Sequence, residues 1–195
     1  MEGSGGAFTP AGASTLRRGP SWLALPLFVA AAVTAGLYVF GTQHTPDYYT
    51  SLFGQSAADT LPLKSWLGTG LLALASVQLL LALWMYGRLP RIRTAGSVAT
   101  AHRLVGICAL LLSLPIAYHC AFAYGVQTTN VDTRVVVHSL AGCFLYGAFA
   151  AKVTIVRAKR LPGWTLPLVG GLLVALVALL WYTSALWYFN DYRLP

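Results

Sequence analysis

Five long apolar stretches alternate with short polar connections along the chain: Trp22 to Phe40, Leu61 to Tyr86, Val98 to Tyr124, Thr133 to Val156 and Leu166 to Phe189. A helix that crosses a bilayer needs about 20 predominantly apolar residues, and each stretch is long enough. The pattern therefore predicts an all-α, five-helix transmembrane bundle over residues 21–190, with helices at 21–41, 61–86, 98–124, 133–156 and 166–189. Asp59 or Thr60 is the expected N-cap of the second helix, and Pro62 falls in its first turn, where a missing N–H costs little. The first stretch follows Arg17 and Arg18, as a secretory signal would. It runs on past Val33-Thr34-Ala35 through Phe40, longer than the roughly 7–15 apolar residues of a signal peptide, so a retained helix is expected. Residues 1–20, rich in Gly, Ser, Ala, Thr and Pro, have too little apolar material for a core and are expected to be a disordered cytoplasmic tail.

Composition reinforces the pattern. Hydrophobic residues make up 57% of the chain and charged residues 9%, against about a quarter charged in an ordinary soluble domain. The net charge of +8 would suggest nucleic acid in a soluble protein, but the charges segregate by loop, and no nucleic-acid partner is expected. Arg17, Arg18, Arg88, Arg91, Arg93, Arg157, Lys159 and Arg160 fall on one side of the five-helix arrangement, and Lys64, Arg134 and Arg193 on the other. By the positive-inside rule the basic side is cytoplasmic, which puts the amino terminus inside and the carboxyl terminus outside, in a bacterial cytoplasmic membrane. Cys108, Cys120 and Cys143 lie within helices, form no Cys-x-x-Cys motif and read as small apolar residues facing neighbouring helices.

Ionisable groups within a membrane span are costly to bury and are functional candidates by default. His119 lies about five residues before the end of the third helix and His138 about five after the start of the fourth. At about 1.5 Å per residue the two imidazoles share a depth, roughly 7–9 Å below the helix ends. Neutral imidazoles at one depth on antiparallel neighbours suit axial ligation of a b-type haem iron. Pro115 can bend the third helix away, and Gly142 and Gly147 would let a flat macrocycle approach the fourth. Arg134, one turn from His138, and Lys64 are placed to neutralise propionates. Packed helices lie about 8–10 Å apart, so ligation requires these two to splay. The competing reading has both histidines hydrogen-bonded to backbone carbonyls or to hydroxyls such as Ser113 or Ser139. His102, 17 positions before His119, lies about a hydrocarbon thickness away and is a further, weaker metal candidate without a second histidine opposite. Met85 is the alternative partner there, and His44 reads as a loop residue.

His102-Arg103-Leu104-Val105-Gly106, His119 and His138-Ser139-Leu140-Ala141-Gly142 resemble the histidine-bearing helices of membrane b-type cytochromes, including the ferric-reductase-like transmembrane family. The resemblance covers about residues 99–152 and implies haem b and electron transfer. Two-haem members supply four ligands, whereas His119 and His138 form one pair here. The whole chain, with Trp181-Tyr182-Thr183-Ser184-Ala185-Leu186-Trp187-Tyr188-Phe189, also resembles small uncharacterised bacterial multi-pass membrane proteins. With no flavin or nicotinamide domain, a quinone or a separate redox protein would supply the electrons. The rival is a cofactor-free subunit or assembly partner of a larger membrane complex, associating through Ser139, Cys143 and Gly147, which recur every four residues. A proton-coupled transporter fits less well, because no carboxylate lies within a span; Lys152 sits close enough to the helix end for its amine to snorkel.

Overall fold

A computed structural model describes residues 23–89, 96–158 and 162–195. The tail 1–20 and the basic residues Arg17, Arg18, Arg91, Arg93, Lys159 and Arg160 lie outside the described residues. The described residues are helical, without strands: α1 (Ala24–Gln43), α2 (Ala57–Met85), α3 (Ser97–His119), α4 (Thr133–Arg157) and α5 (Thr165–Trp181). α3 continues into a π-helical turn at Cys120–Tyr124, and α5 into a second at Tyr182–Leu186 followed by a last α-turn at Trp187–Phe189. All five spans are long and apolar enough to cross a membrane, so the chain is a multi-pass membrane protein by length and composition.

α2 begins a turn before the residues expected to cap it. Ser56 is the N-cap: its hydroxyl accepts from the Asp59 N–H at 3.3 Å and donates to the Asp59 carboxylate at 2.6 Å. This pair of bonds caps the helix at Ser56, which places Pro62 inside the helix rather than in its first turn.

α4 is the central helix. A third of its most apolar window is buried, against 6–11% in the other four spans. It packs against α1 and α5, while α2 packs against α3 and α5, so the helices follow one another in space as α1, α4, α5, α2, α3. The sequence neighbours α3 and α4 share no extensive contact. Ala75 of α2, Leu145 of α4 and Val177 of α5 form the buried core, with Leu71, Leu72, Leu173, Leu176 and Leu180 around it. Trp181 reinforces the α5–α2 seam by donating its indole N–H to Thr69 Oγ1 at 3.0 Å.

The Ser139–Cys143–Gly147 row does allow close approach, but the approach is made within the chain. A Cβ at Gly147 would overlap the Thr34 hydroxyl and come within 2.7 Å of the Ala30 carbonyl, so α1 occupies this row and requires the glycine. Cys143 is buried, as read from the sequence, whereas Cys108 is exposed on the outside of the bundle.

The ends of α1, α3 and α5 and the starts of α2 and α4 gather at one end of the bundle. Val126 N–H donates to the Gly41 carbonyl at 2.8 Å, and Asp47 N–H to the Phe122 carbonyl at 3.0 Å. Phe40, His44 and Phe122 stack around these bonds. His44 is therefore part of an aromatic cluster that ties α1 to α3. Gly125, at φ +67°, sits so close to Gly41 that a Cβ would lie 2.6 Å from the Gly41 carbonyl oxygen.

Candidate histidine site at one end of the bundle

His119 and His138 both lie at this tied end, each beside a π-helical turn. π-turns insert a residue into the α-helical ladder and recur at functional sites, because the changed register frees backbone groups. His119 is the last α-helical residue of α3 and is 2% exposed. Its ring is held from both sides. The Lys64 ammonium, which can only donate, lies 3.3 Å from Nδ1, and Nε2 lies 2.9 Å from the Thr50 carbonyl, which can only accept. The proton therefore sits on Nε2. Tyr124, four residues into the π-turn, packs edge-on against the His119 ring and faces Lys64, whose ammonium lies 4.4 Å from the ring centroid.

His138 is held differently. Its Nδ1 lies 2.9 Å from Thr183 Oγ1, and that hydroxyl lies 2.8 Å from the Leu179 carbonyl one turn back in α5. Arg134, one turn before His138, donates from Nη1 to the Thr183 carbonyl at 2.7 Å and lays its guanidinium over Trp187, 3.7 Å from the ring centroid. A cation over an aromatic face is favourable but leaves the charge unneutralised. Among the described residues neither Lys64 nor Arg134 makes an ion pair with a carboxylate; the Asp132 side chain instead caps α4 by accepting the Arg134 N–H at 2.7 Å. Two cations that make no ion pair among the described residues thus stand beside two histidines, with the Asp132 carboxylate attracting Arg134 from the cap of α4.

The flank of α4 that runs on from His138 is open. A Cβ at Gly142 would meet nothing within 4 Å. One turn either side of it His138 reaches α5 and Tyr146 reaches α3, where it donates to Ser113 Oγ at 3.0 Å, so the space lies on the inward side of the helix. The competing reading of the histidines, as hydrogen-bonded to backbone carbonyls or hydroxyls, holds in kind through the Thr50 carbonyl and the Thr183 hydroxyl, whereas Ser113 and Ser139 have other partners, Tyr146 and the Gln127 N–H.

His102 lies elsewhere, near the opposite end of α3. Gln78 of α2 donates to its backbone carbonyl, an approach possible because Gly106 lacks a side chain in the space Gln78 fills. The buried atoms Gln78 Oε1 and His102 Nδ1 have no hydrogen-bond partner among the described residues, and the Lys152 charge reaches the imidazole from α4. Met85 is half-exposed at the end of α2 and makes no described contact with His102. Among the described residues there is no group of three or more His, Cys, Asp or Glu side chains able to hold a metal ion. Thr183 and Thr50 are the site residues that sequence reasoning missed: one acts through a hydroxyl 45 residues from its partner, the other through a backbone carbonyl, which no side chain advertises.

The chain belongs to a family of unknown function, DUF6529, whose profile matches residues 23–195. No curated protein and no solved structure matches it.

Proposed function

We propose that the chain is an integral membrane b-type haem protein that relays electrons at the outer face of a bacterial cytoplasmic membrane. One observation carries the reading: Lys64 and Arg134, two cations without carboxylate partners, flank two histidines on helices that do not pack closely together. Haem b brings two propionates and needs two nitrogen ligands, and this end of the bundle offers a complement to each. His138 has its proton engaged at Nδ1, which leaves the Nε2 lone pair to offer a metal, and Gly142 leaves room beside it. His119 fits on two conditions: its Nε2 must exchange the Thr50 carbonyl for the metal, and its proton must move to Nδ1, from which the Lys64 ammonium must then withdraw. When bound, the iron would supply one-electron redox chemistry. Lys64, Arg134 and Arg193 at this end, against the larger set of arginines and lysines in the connections at the other, support the outward orientation. Electrons would arrive from a quinone or a separate redox protein.

The test is a dithionite-reduced minus oxidised spectrum of the detergent-purified full chain, produced with ample haem. A sharp b-type α band, lost in both His119→Ala and His138→Ala, is the expected result. Well-folded protein without any Soret band would favour a cofactor-free membrane subunit. That second reading has its own observation in its favour, since both ring nitrogens of His119 already have protein partners.

A further inference from the structure

We propose that Thr183 is the positioning residue of the histidine end: its hydroxyl fixes His138 as the Nδ1–H tautomer, and its carbonyl holds the Arg134 guanidinium beside it. The hydrogen-bond arithmetic is closed. A threonine hydroxyl has one proton, and the geometry gives it to the helix itself, to the Leu179 carbonyl at 2.8 Å or the Leu180 carbonyl at 3.3 Å. What Oγ1 then presents to His138 Nδ1, 2.9 Å away, is a lone pair. Only a proton on Nδ1 makes that contact a bond. A neutral imidazole has one N–H, so Nε2 is left as the nitrogen with a free lone pair.

The main chain of the same residue supplies the second half. In a regular α-helix the Thr183 carbonyl would accept from the Trp187 N–H. Where the π-turn at Tyr182–Leu186 ends, the Trp187 N–H donates to the Ser184 carbonyl, three residues back, and the Thr183 oxygen accepts from Arg134 at 2.7 Å. Thr183 is 3% exposed, so water does not readily replace either bond. One residue of α5 therefore sets both which nitrogen of His138 is available and where the neighbouring cation stands. Hydrogen bonds of this kind to a ligand's second nitrogen orient the ring and raise its basicity, and their loss typically weakens metal binding about 10–100-fold. The consequence for cofactor binding rests on the haem reading, but the tautomer does not.

The experiment is nitrogen-15 NMR of the full chain labelled at histidine, in detergent micelles, with His138 assigned by its absence in His138→Gln. In haem-free protein His138 should carry its proton on Nδ1; Thr183→Ser should keep it there, and Thr183→Val should release it to Nε2. A proton on Nε2 in the unsubstituted protein, or a proton still fixed on Nδ1 in a folded Thr183→Val, would overturn the assignment. The measurement on the unsubstituted chain stands even where Thr183→Val does not fold. Haem titration then separates the two claims: Thr183→Val should bind about 10–100-fold more weakly and Thr183→Ser like the unsubstituted chain. Failure of the unsubstituted chain to take haem would sink the electron-relay reading while leaving the tautomer to the NMR result.

Discussion

Gly147 and Gly142 lie five residues apart on α4 and have opposite surroundings. At Gly147 the helix is pressed so tightly against α1 that even a methyl group would overlap Thr34. At Gly142 a methyl group would touch nothing. α4 is therefore closed at Gly147, where the glycine serves packing, and open at Gly142, one turn on from His138. The contrast separates two uses of glycine that composition cannot tell apart. α4 is thus the most buried span and yet leaves room for a methyl group at Gly142, one turn from its histidine.

The sharpest way to break the contrast is to fill both positions. Gly147→Ala should destabilise the bundle by about 1–3 kcal/mol, the usual cost of overpacking, because its nearest neighbours include α1 backbone. Gly142→Ala, which meets nothing and removes a glycine from a helix interior, should leave stability unchanged or raise it by up to about 1 kcal/mol. Thermal unfolding in detergent, followed by helical circular dichroism, reads both. Equal effects at the two positions would refute the distinction between the flanks.

The cations come next. Lys64→Gln and Arg134→Gln should each weaken haem retention by about 1.5–3 kcal/mol if each holds a propionate, the range for a hydrogen bond to a charged group. Haem titration of each variant measures this. Unchanged retention in both would remove propionate binding as the reason these cations lack carboxylate partners. A further small effect is expected where a single side chain crosses from α4 to α3. Tyr146→Phe deletes the bond to Ser113 and should cost about 0.6 kcal/mol, the average for hydrogen bonds between membrane helices, again read by thermal unfolding.

The five spans were legible because hydropathy over about 20 residues is a property of the chain itself and needs no knowledge of neighbours. Local chemistry was legible only in part. Asp59 or Thr60 is the N-cap the sequence suggests, whereas Ser56, three residues before Asp59, caps α2 and starts it a turn sooner. The Ser139–Cys143–Gly147 row was legible as a close-approach surface but not as one that α1 uses, since a spacing does not name its partner. At the histidine end, the co-location of His119, His138, Lys64 and Arg134 at one end of the bundle follows from helix order alone. The hydrogen-bonding partners do not. Thr50 contributes a backbone carbonyl from a loop, and Thr183 acts through a π-turn whose register depends on how α5 packs.

The central claim is that the open flank of α4 beside His138 is a cofactor slot, and haem titration into haem-free protein tests it most directly when the unsubstituted chain is compared with Gly142→Phe. The account predicts saturable uptake with a Soret band by the unsubstituted chain, and a Gly142→Phe variant that keeps its helical content and unfolding temperature but takes up little haem. No uptake by the unsubstituted chain, or equal uptake by both, would contradict it.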